Sequence, residues 1–404
     1  MSTYNSVQEK RKAFWFKNAI RFRLMRIFRG KRDDRLWLFS AWEGQKYADN
    51  SKYLFEYVIK YHKEITCVWQ TKNKEVYDLL KQKRYNVQLI GTKESIQTQK
   101  KAGVVIYTNG LDDFGDNPYI YGAKLVSVWH GVGFKKIYRS QLPKMNKFRL
   151  FLSNYKWDFF SWTKRDLTII TSEYHKKQCL EGFHLNRKSK FYLAGQPRND
   201  IFACDIKYDS VFLNQNIISA LQGKKIILYM PTFRENNSIL LEQIELLYKS
   251  EEFKKVLTEN NAIFVSKLHY LCRGNIKSNE CMLLLNDEDV IDTQRLLGIA
   301  DILITDYSSC AIDFALLKRP IIFYFPSDGY DVKKWMMPDA MEYCSICKVS
   351  TEKECIKKIE TLLNDHSEGI KQSETLNSVF NEIIDIGTYA KRTYSGICNM
   401  IKNN

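Results

Sequence analysis

The feature that most restricts this chain is a beat played twice: short apolar runs rich in β-branched and aromatic residues, separated by polar helical stretches. RLWLFSA (35–41), ITCVWQ (65–70), NVQLIG (86–91), GVVIYT (103–108), KLVSVW (124–129) and LTIIT (167–171) alternate with segments such as SKYLFEYVIKYHKE. After residue 200 the rhythm returns in KKIILYM (224–230), AIFVSKLH (262–269), MLLLN (282–286), ADILIT (300–305) and PIIFYF (320–325). Runs that are apolar throughout predict strands buried on both faces, hence parallel sheets covered by helices. The expected fold is α/β, with two doubly wound, Rossmann-like domains. A chain of 404 residues with 45% apolar content can bury two such cores. The expected divisions are a basic amphipathic segment over 1–34, a first domain over 35–200, and a second over 201–404 that includes a C-terminal helix. The boundary falls near GQPRND (195–200).

Open parallel sheets bind ligands at the carboxyl ends of their strands, so two of them in series predict a central cleft lined by strand ends. In SVWHGVGFKK (127–136), His130 ends an apolar run and is followed by Gly131 and Gly133, which suit a close backbone approach. Arg198 follows a Gly-Gln-Pro turn. Pro231 and Thr232 end IILYM, and Lys267 and His269 end AIFVS. ADILIT runs into Asp306, Tyr307, Ser308 and Ser309, with Asp313 one helical turn further on. Ser308 and Ser309 stand where a helix begins, a place that suits phosphate; by itself the same pattern reads as an ordinary N-cap. His62, His175, His184 and His366 lie in polar helical or loop contexts and read as surface residues.

The ten cysteines are scattered, several within apolar runs, as in a reducing compartment. Cys344 and Cys347 have the CxxC spacing without a second pair or a nearby histidine, which reads as structural. No run approaches the ~18 apolar residues that span a bilayer, and no signal peptide is expected.

Taken together, WHGVGFKK, GQPRND, YMPTFRE, KLHY and DILITDYSSCAIDFALLKRPIIFYFPSDGYD resemble, in order and approximate spacing, the CDP-glycerol glycerophosphotransferases, the teichoic acid primases and polymerases. The likeness runs from about residue 37 to 335. It implies a GT-B fold and transfer of a polyol phosphate from a CDP-activated donor to a hydroxyl of a lipid-linked acceptor, with release of CMP. It also implies His130 and His269 as the catalytic histidines, with His130 as the general base. Trp129, Gly131, Arg198, Pro231, Thr232, Lys267, Ser308, Ser309 and Asp313 are implied as the donor-binding residues, with His269 beside them. A histidine with an unperturbed pKa of ~6.5 suits removal of a hydroxyl proton near neutral pH, and the cationic and hydroxyl groups suit the departing CMP. No metal or other cofactor is expected. Relatives commonly carry Thr-Pro where this chain has Val132 and Gly133, and proline where it has Tyr270, so the donor is CDP-glycerol, CDP-ribitol or another CDP-polyol.

Lys and Arg number 62 against 46 Asp and Glu, for a net charge of +16, which predicts an anionic partner. RKAFWFKNAIRFRLMRIFRGKR (11–32) holds nine basic residues and no acidic one, and KFRLFLSNYKWDFFSWTKR (147–165) is similarly basic and aromatic. These stretches suit peripheral attachment to an anionic membrane surface on the cytoplasmic face, at ~1 kcal/mol per basic residue. A helix packed on the first domain with a solvated cationic rim explains residues 11–32 equally well. Two other functions fit parts of the pattern. A nucleotide-sugar glycosyltransferase of the same fold would release a nucleoside diphosphate. A nucleic-acid-binding protein would explain the charge but neither strand-end histidine, and no nucleic-acid partner is expected.

Overall fold

A computed structural model describes residue 18 and residues 30–120, 122–142, 146–149, 151–153, 165–183, 185, 189–205, 215–232, 238–268, 278–286, 290, 292–326 and 330–403. The chain divides into two compact units. Unit 1 comprises Met1–His130, Ile137–Asp200 and Gly387–Asn404, and unit 2 comprises Gly131–Lys136 and Ile201–Ile386.

Among the described residues, unit 1 is built on strands β1 (Asp33–Phe39), β2 (Thr66–Thr71), β3 (Val87–Leu89), β4 (Ala102–Tyr107), β5 (Lys124–Ser127), β6 (Leu167–Ile170) and β7 (Phe191–Leu193). They pair in parallel in the order β3-β2-β1-β4-β5-β6-β7. Helices α1 (Asp49–Tyr61), α2 (Lys74–Gln82), α3 (Lys93–Lys101) and α4 (Glu173–Phe183) make the crossovers. Local chemistry sets where they start: the Asn73 side chain accepts from the N–H groups of Glu75 and Val76, and Thr92 accepts from Ser95. Successive side chains of one strand face opposite ways, so Trp37 and Phe39 join a core with Phe55, Val58 and Trp69 while Leu38 joins Val68, Val105 and Phe114. That two-sided burial is why the run is apolar at every position.

Unit 2 repeats the plan with β8 (Lys225–Met230), β9 (Ala262–Lys267), β10 (Met282–Leu285), β11 (Ile302–Thr305), β12 (Ile321–Tyr324) and β13 (Lys348–Val349). These are also parallel, in the order β10-β9-β8-β11-β12-β13. Its helices are α5 (Gln215–Leu221), α6 (Ser238–Lys249), α7 (Glu251–Glu259), α8 (Thr293–Ile299), α9 (Cys310–Ala315), α10 (Val332–Trp335), α11 (Glu352–Asn364) and α12 (Ser367–Phe380). Both sheets therefore follow the doubly wound order 3-2-1-4-5-6, the first with one further strand at its edge. The expected α/β class and every strand anticipated from the apolar runs are present; the edge strands β7 and β13, three and two residues long, are additions. Cys344 and Cys347 are buried in unit 2, and burial raises both thiols, Cys347 to about 12.

The last helix, α13 (Tyr389–Lys402), departs from the sequence reading, which placed it in the second domain. It packs on unit 1. Ala390, Ile397 and Met400 enter the core of Trp37 and Phe39. The Asp200 carboxylate caps the helix by accepting from the N–H groups of Gly387 (3.0 Å), Tyr389 (2.9 Å) and Ala390 (2.8 Å). At Gly195, with φ +85°, an added Cβ would lie 2.4 Å from the Tyr389 ring, so only glycine lets the helix approach.

Candidate active site

In a doubly wound sheet, the strand order reverses between the first and fourth strands, and the crevice there is the usual ligand site. In unit 1 this switch point lies between β1 and β4. The turn after β1 carries three consecutive left-handed residues, Trp42 (φ 51°), Glu43 (φ 58°) and Gly44 (φ 79°). Asp113 holds it. Its carboxylate accepts from Glu43 N–H at 2.6 Å, and from Thr108 and Asn109 N–H, after β4, at 2.9 and 3.2 Å. Burial first, and the charge of Asp112 second, push the Asp113 carboxyl up to about 7 against the pull of those donors. Trp42 thereby stands with its ring 5.5 Å from the imidazole of His130, just past the next strand, β5.

Trp129 is 3% exposed and packs edge-on against Phe183 at 4.7 Å, with Arg165 over the Phe183 ring at 3.6 Å. The indole is an anchor inside unit 1. It fixes the backbone at a left-handed φ of 50°, and Gly131 follows at φ 140°. Arg198 belongs to unit 1, its side chain is 9% exposed, and its guanidinium donates to the Asp49 carboxylate at 2.9 Å and the His130 carbonyl at 2.7 Å. Those partners place it behind His130. His175 is 2% exposed and not a surface residue: its Nδ1 accepts from Thr171 N–H, and burial together with the Arg165 cation lowers it to about 3.

The switch point of unit 2 lies between β8 and β11, where the sequence placed most of the donor residues. Asp306, after β11, accepts from the N–H of Thr232 at 2.8 Å and from the N–H of Tyr307, joining the ends of the two strands. Pro231 is half-buried; Thr232 is 7% and Lys267, at the end of β9, 9% exposed. Ser308 and Ser309 are half-buried, and Ser309 stands at the N-cap of α9 without a side-chain capping bond. Asp313 is 1% exposed and accepts from the Gln294 side chain at 3.4 Å. Gly131–Lys136 packs here as well. Phe134 sits edge-on to Phe323 and Phe380 and accepts from Met337 N–H, and an added Cβ on Gly133 would be 3.5 Å from that of Ser309. Lys135 donates to Thr232 Oγ1 at 3.4 Å. Tyr307 stacks on Tyr330 at 4.3 Å beside it. His269 lies outside the described residues, as do Arg234 and Tyr270. Among the described residues, no group of three or more His, Cys, Asp or Glu is placed to hold a metal ion.

The model of the CDP-glycerol:poly(glycerophosphate) glycerophosphotransferase family matches residues 21–399. The chain belongs to this family. The transferase is 27% identical to the teichoic acid poly(glycerol phosphate) polymerase of Bacillus spizizenii, over 76% of this chain and 77% of that one. It is 28% identical to the teichoic acid glycerol-phosphate transferase of Staphylococcus aureus, over 74% of each. A solved structure of a variant of the wall teichoic acid polymerase TagF superposes with a TM-score of 0.72 at 20% identity, covering 98% of both chains. That likeness carries the fold, which is of the GT-B type. Membership makes the transferase a CDP-glycerol glycerophosphotransferase and sets aside the nucleotide-sugar and nucleic-acid readings.

The sequence reading named Asp306 at the end of β11 but did not bring Asp49, Asn50, Trp42 or Lys135 to the candidate site. Asp306 and Lys135 lie within quoted motifs. ADNSKYLF looks like an ordinary helix start.

Proposed function

We propose that the chain moves glycerol phosphate from CDP-glycerol to a terminal hydroxyl of a lipid-linked acceptor and releases CMP, in the synthesis of a teichoic acid or a similar polymer. His130 takes the proton of the attacking hydroxyl, and Thr232, Lys267, Ser308, Ser309 and Asp313, with Pro231, Gly131 and His269, form the donor side. The hydroxyl oxygen attacks the β-phosphorus, the bond from that phosphorus to the bridging oxygen breaks, and the electron pair leaves with CMP. Cationic and hydroxyl donors already in place stabilise the charge that develops there; on this reading no metal is needed. Positioned proton removal contributes about 10²–10⁴-fold.

The observation that carries this proposal is the path of the chain. Unit 1 runs to His130, and the next six residues pack with unit 2, where Gly133 borders Ser309 and Lys135 reaches Thr232. The residues that follow His130 in WHGVGFKK thus border the donor residues Ser309 and Thr232 within unit 2. Glycerol as the donor's polyol is supported by the family description and by the first relatives above, which are named for glycerol phosphate.

The proposal includes peripheral attachment to an anionic membrane. It is supported by Phe148, Phe151 and Leu152, spaced i, i+3, i+4 and exposed by 70%, 65% and 41% between basic residues. No described helix is long and apolar enough to cross a membrane. Most of 11–32 and residues 154–164 of the second basic stretch lie outside the described residues. The test is to supply CDP-glycerol, CDP-ribitol and a UDP-sugar in turn over a lipid-linked acceptor. CMP released from CDP-glycerol at the highest kcat/KM is expected; UDP release, or no CMP, overturns the proposal.

A further inference from the structure

Behind His130 lies a buried polar assembly that the transfer reaction itself does not name. Asp49 opens α1 with a left-handed backbone (φ 66°) and a side chain 5% exposed. One carboxylate oxygen accepts from the Arg198 guanidinium at 2.9 Å, and the other accepts from the Trp42 indole N–H at 3.2 Å. The same Arg198 nitrogen donates to the His130 carbonyl at 2.7 Å. Asn50 completes the frame. Its amide donates to the carbonyls of Val128 (3.0 Å) and Trp129 (2.9 Å), and its oxygen accepts from Arg198 N–H at 3.1 Å. The carbonyls of three successive residues, ending at His130, are thus each held by a side-chain donor. The Trp42 ring beside the imidazole is held by the same carboxylate that holds the arginine.

We propose that Asp49 is a positioning residue for His130, acting through Arg198 and Trp42; this rests on the reading of His130 as the base. A carboxylate here serves two ends that a neutral group would not. It places a negative charge against the buried Arg198 guanidinium, and it orients that guanidinium so that its N–H meets the His130 carbonyl. The peptide that carries the imidazole is left-handed on its N-terminal side and is followed by a glycine, so the chain alone does not fix it; the side-chain frame does. Misplacement of a base by about 1 Å costs on the order of 10²-fold in rate.

The test is kinetic, on the full-length enzyme with CDP-glycerol and a lipid-linked acceptor that ends in a glycerol hydroxyl. Asp49→Asn keeps the volume and tolerates the left-handed backbone. It is expected to lower kcat about 10- to 100-fold and to leave KM for CDP-glycerol within about twofold. In a His130→Ala background, where there is no base left to position, Asp49→Asn is expected to leave the residual rate unchanged. Arg198→Lys keeps the charge without the fork and is expected to show a smaller kcat loss that is likewise absent in the His130→Ala background; it carries the test if Asp49→Asn does not fold. A native kcat for Asp49→Asn while His130→Ala is inactive overturns the positioning role alone, as does an equal loss from Asp49→Asn in both backgrounds. Native turnover by His130→Ala overturns the base reading and this proposal with it.

Discussion

Substituting Asp200 by alanine tests why the last helix belongs to unit 1. Its carboxylate accepts three N–H groups at the start of α13. Gly387 N–H, in an exposed bond, can turn to water, so its loss costs little. Tyr389 and Ala390 are 1% and 3% exposed, and each buried N–H left without an acceptor costs about 1–2 kcal/mol. Loss of a negative charge at a helix N-terminus adds about 0.5 kcal/mol. The expected total for Asp200→Ala is about 2.5–4.5 kcal/mol. Asp200→Asn keeps one accepting oxygen and is expected to cost about half as much. At about 2–4 °C per kcal/mol for a unit of this size, the alanine variant should melt roughly 5–18 °C lower by calorimetry or circular dichroism. Limited proteolysis should cut before residue 387 faster than in the native chain. A loss under about 0.5 kcal/mol with unchanged proteolysis would show that the apolar face of α13, not the cap, holds the helix.

Gly195→Ala places a Cβ 2.4 Å from the Tyr389 ring at φ +85°, so it is expected to cost about 3 kcal/mol or more; chemical denaturation measures it, and a near-native midpoint would contradict the packing described. Asp113 has a folded-state carboxyl raised to about 7 against an ordinary value of 3.8, so the folded state holds its proton more tightly. That contribution to stability is complete below about pH 4 and is lost as the pH rises through about 7, at no more than ~1.4 kcal/mol per pH unit. Native protein should therefore lose stability relative to Asp113→Asn between pH 5 and 7.5, and parallel curves would refute the buried-acid assignment. Lys267→Met removes a cation from the end of β9. If Lys267 meets the diphosphate, CDP-glycerol affinity falls about 10- to 100-fold by titration calorimetry while the affinity for cytidine is unchanged; equal effects on both ligands would remove that role.

Most of the fold was legible because parallel strands buried on both faces announce themselves as unbroken apolar runs, from LWLF to IIFY. The edge strands FYL and KV were too short to show a period. The C-terminal helix displayed an apolar face without saying which of two sheets it would cover; that choice is made by Asp200 and Gly195, nearly two hundred residues upstream. For the candidate site, position alone put His130, Thr232 and Lys267 at strand ends, where doubly wound sheets do chemistry, while Ser309 by itself read as an ordinary N-cap. Asp49 and Asn50 were not legible, because an Asp-Asn pair opening a helix is the ordinary capping choice. Their partners, Arg198 and the carbonyls before His130, are far away in sequence and meet them only in the folded unit. The same blindness misassigned His175, whose polar flanks HKKQ conceal a buried ring.

The central claim is that His130 removes the acceptor's proton while unit 2 holds the donor. The most direct measurement pairs turnover with binding in one variant: CMP release and CDP-glycerol affinity for His130→Gln. The expected result is a loss of kcat of at least about 100-fold with affinity within about threefold of native. Native turnover, or a loss of donor affinity as large as the loss of rate, would contradict it.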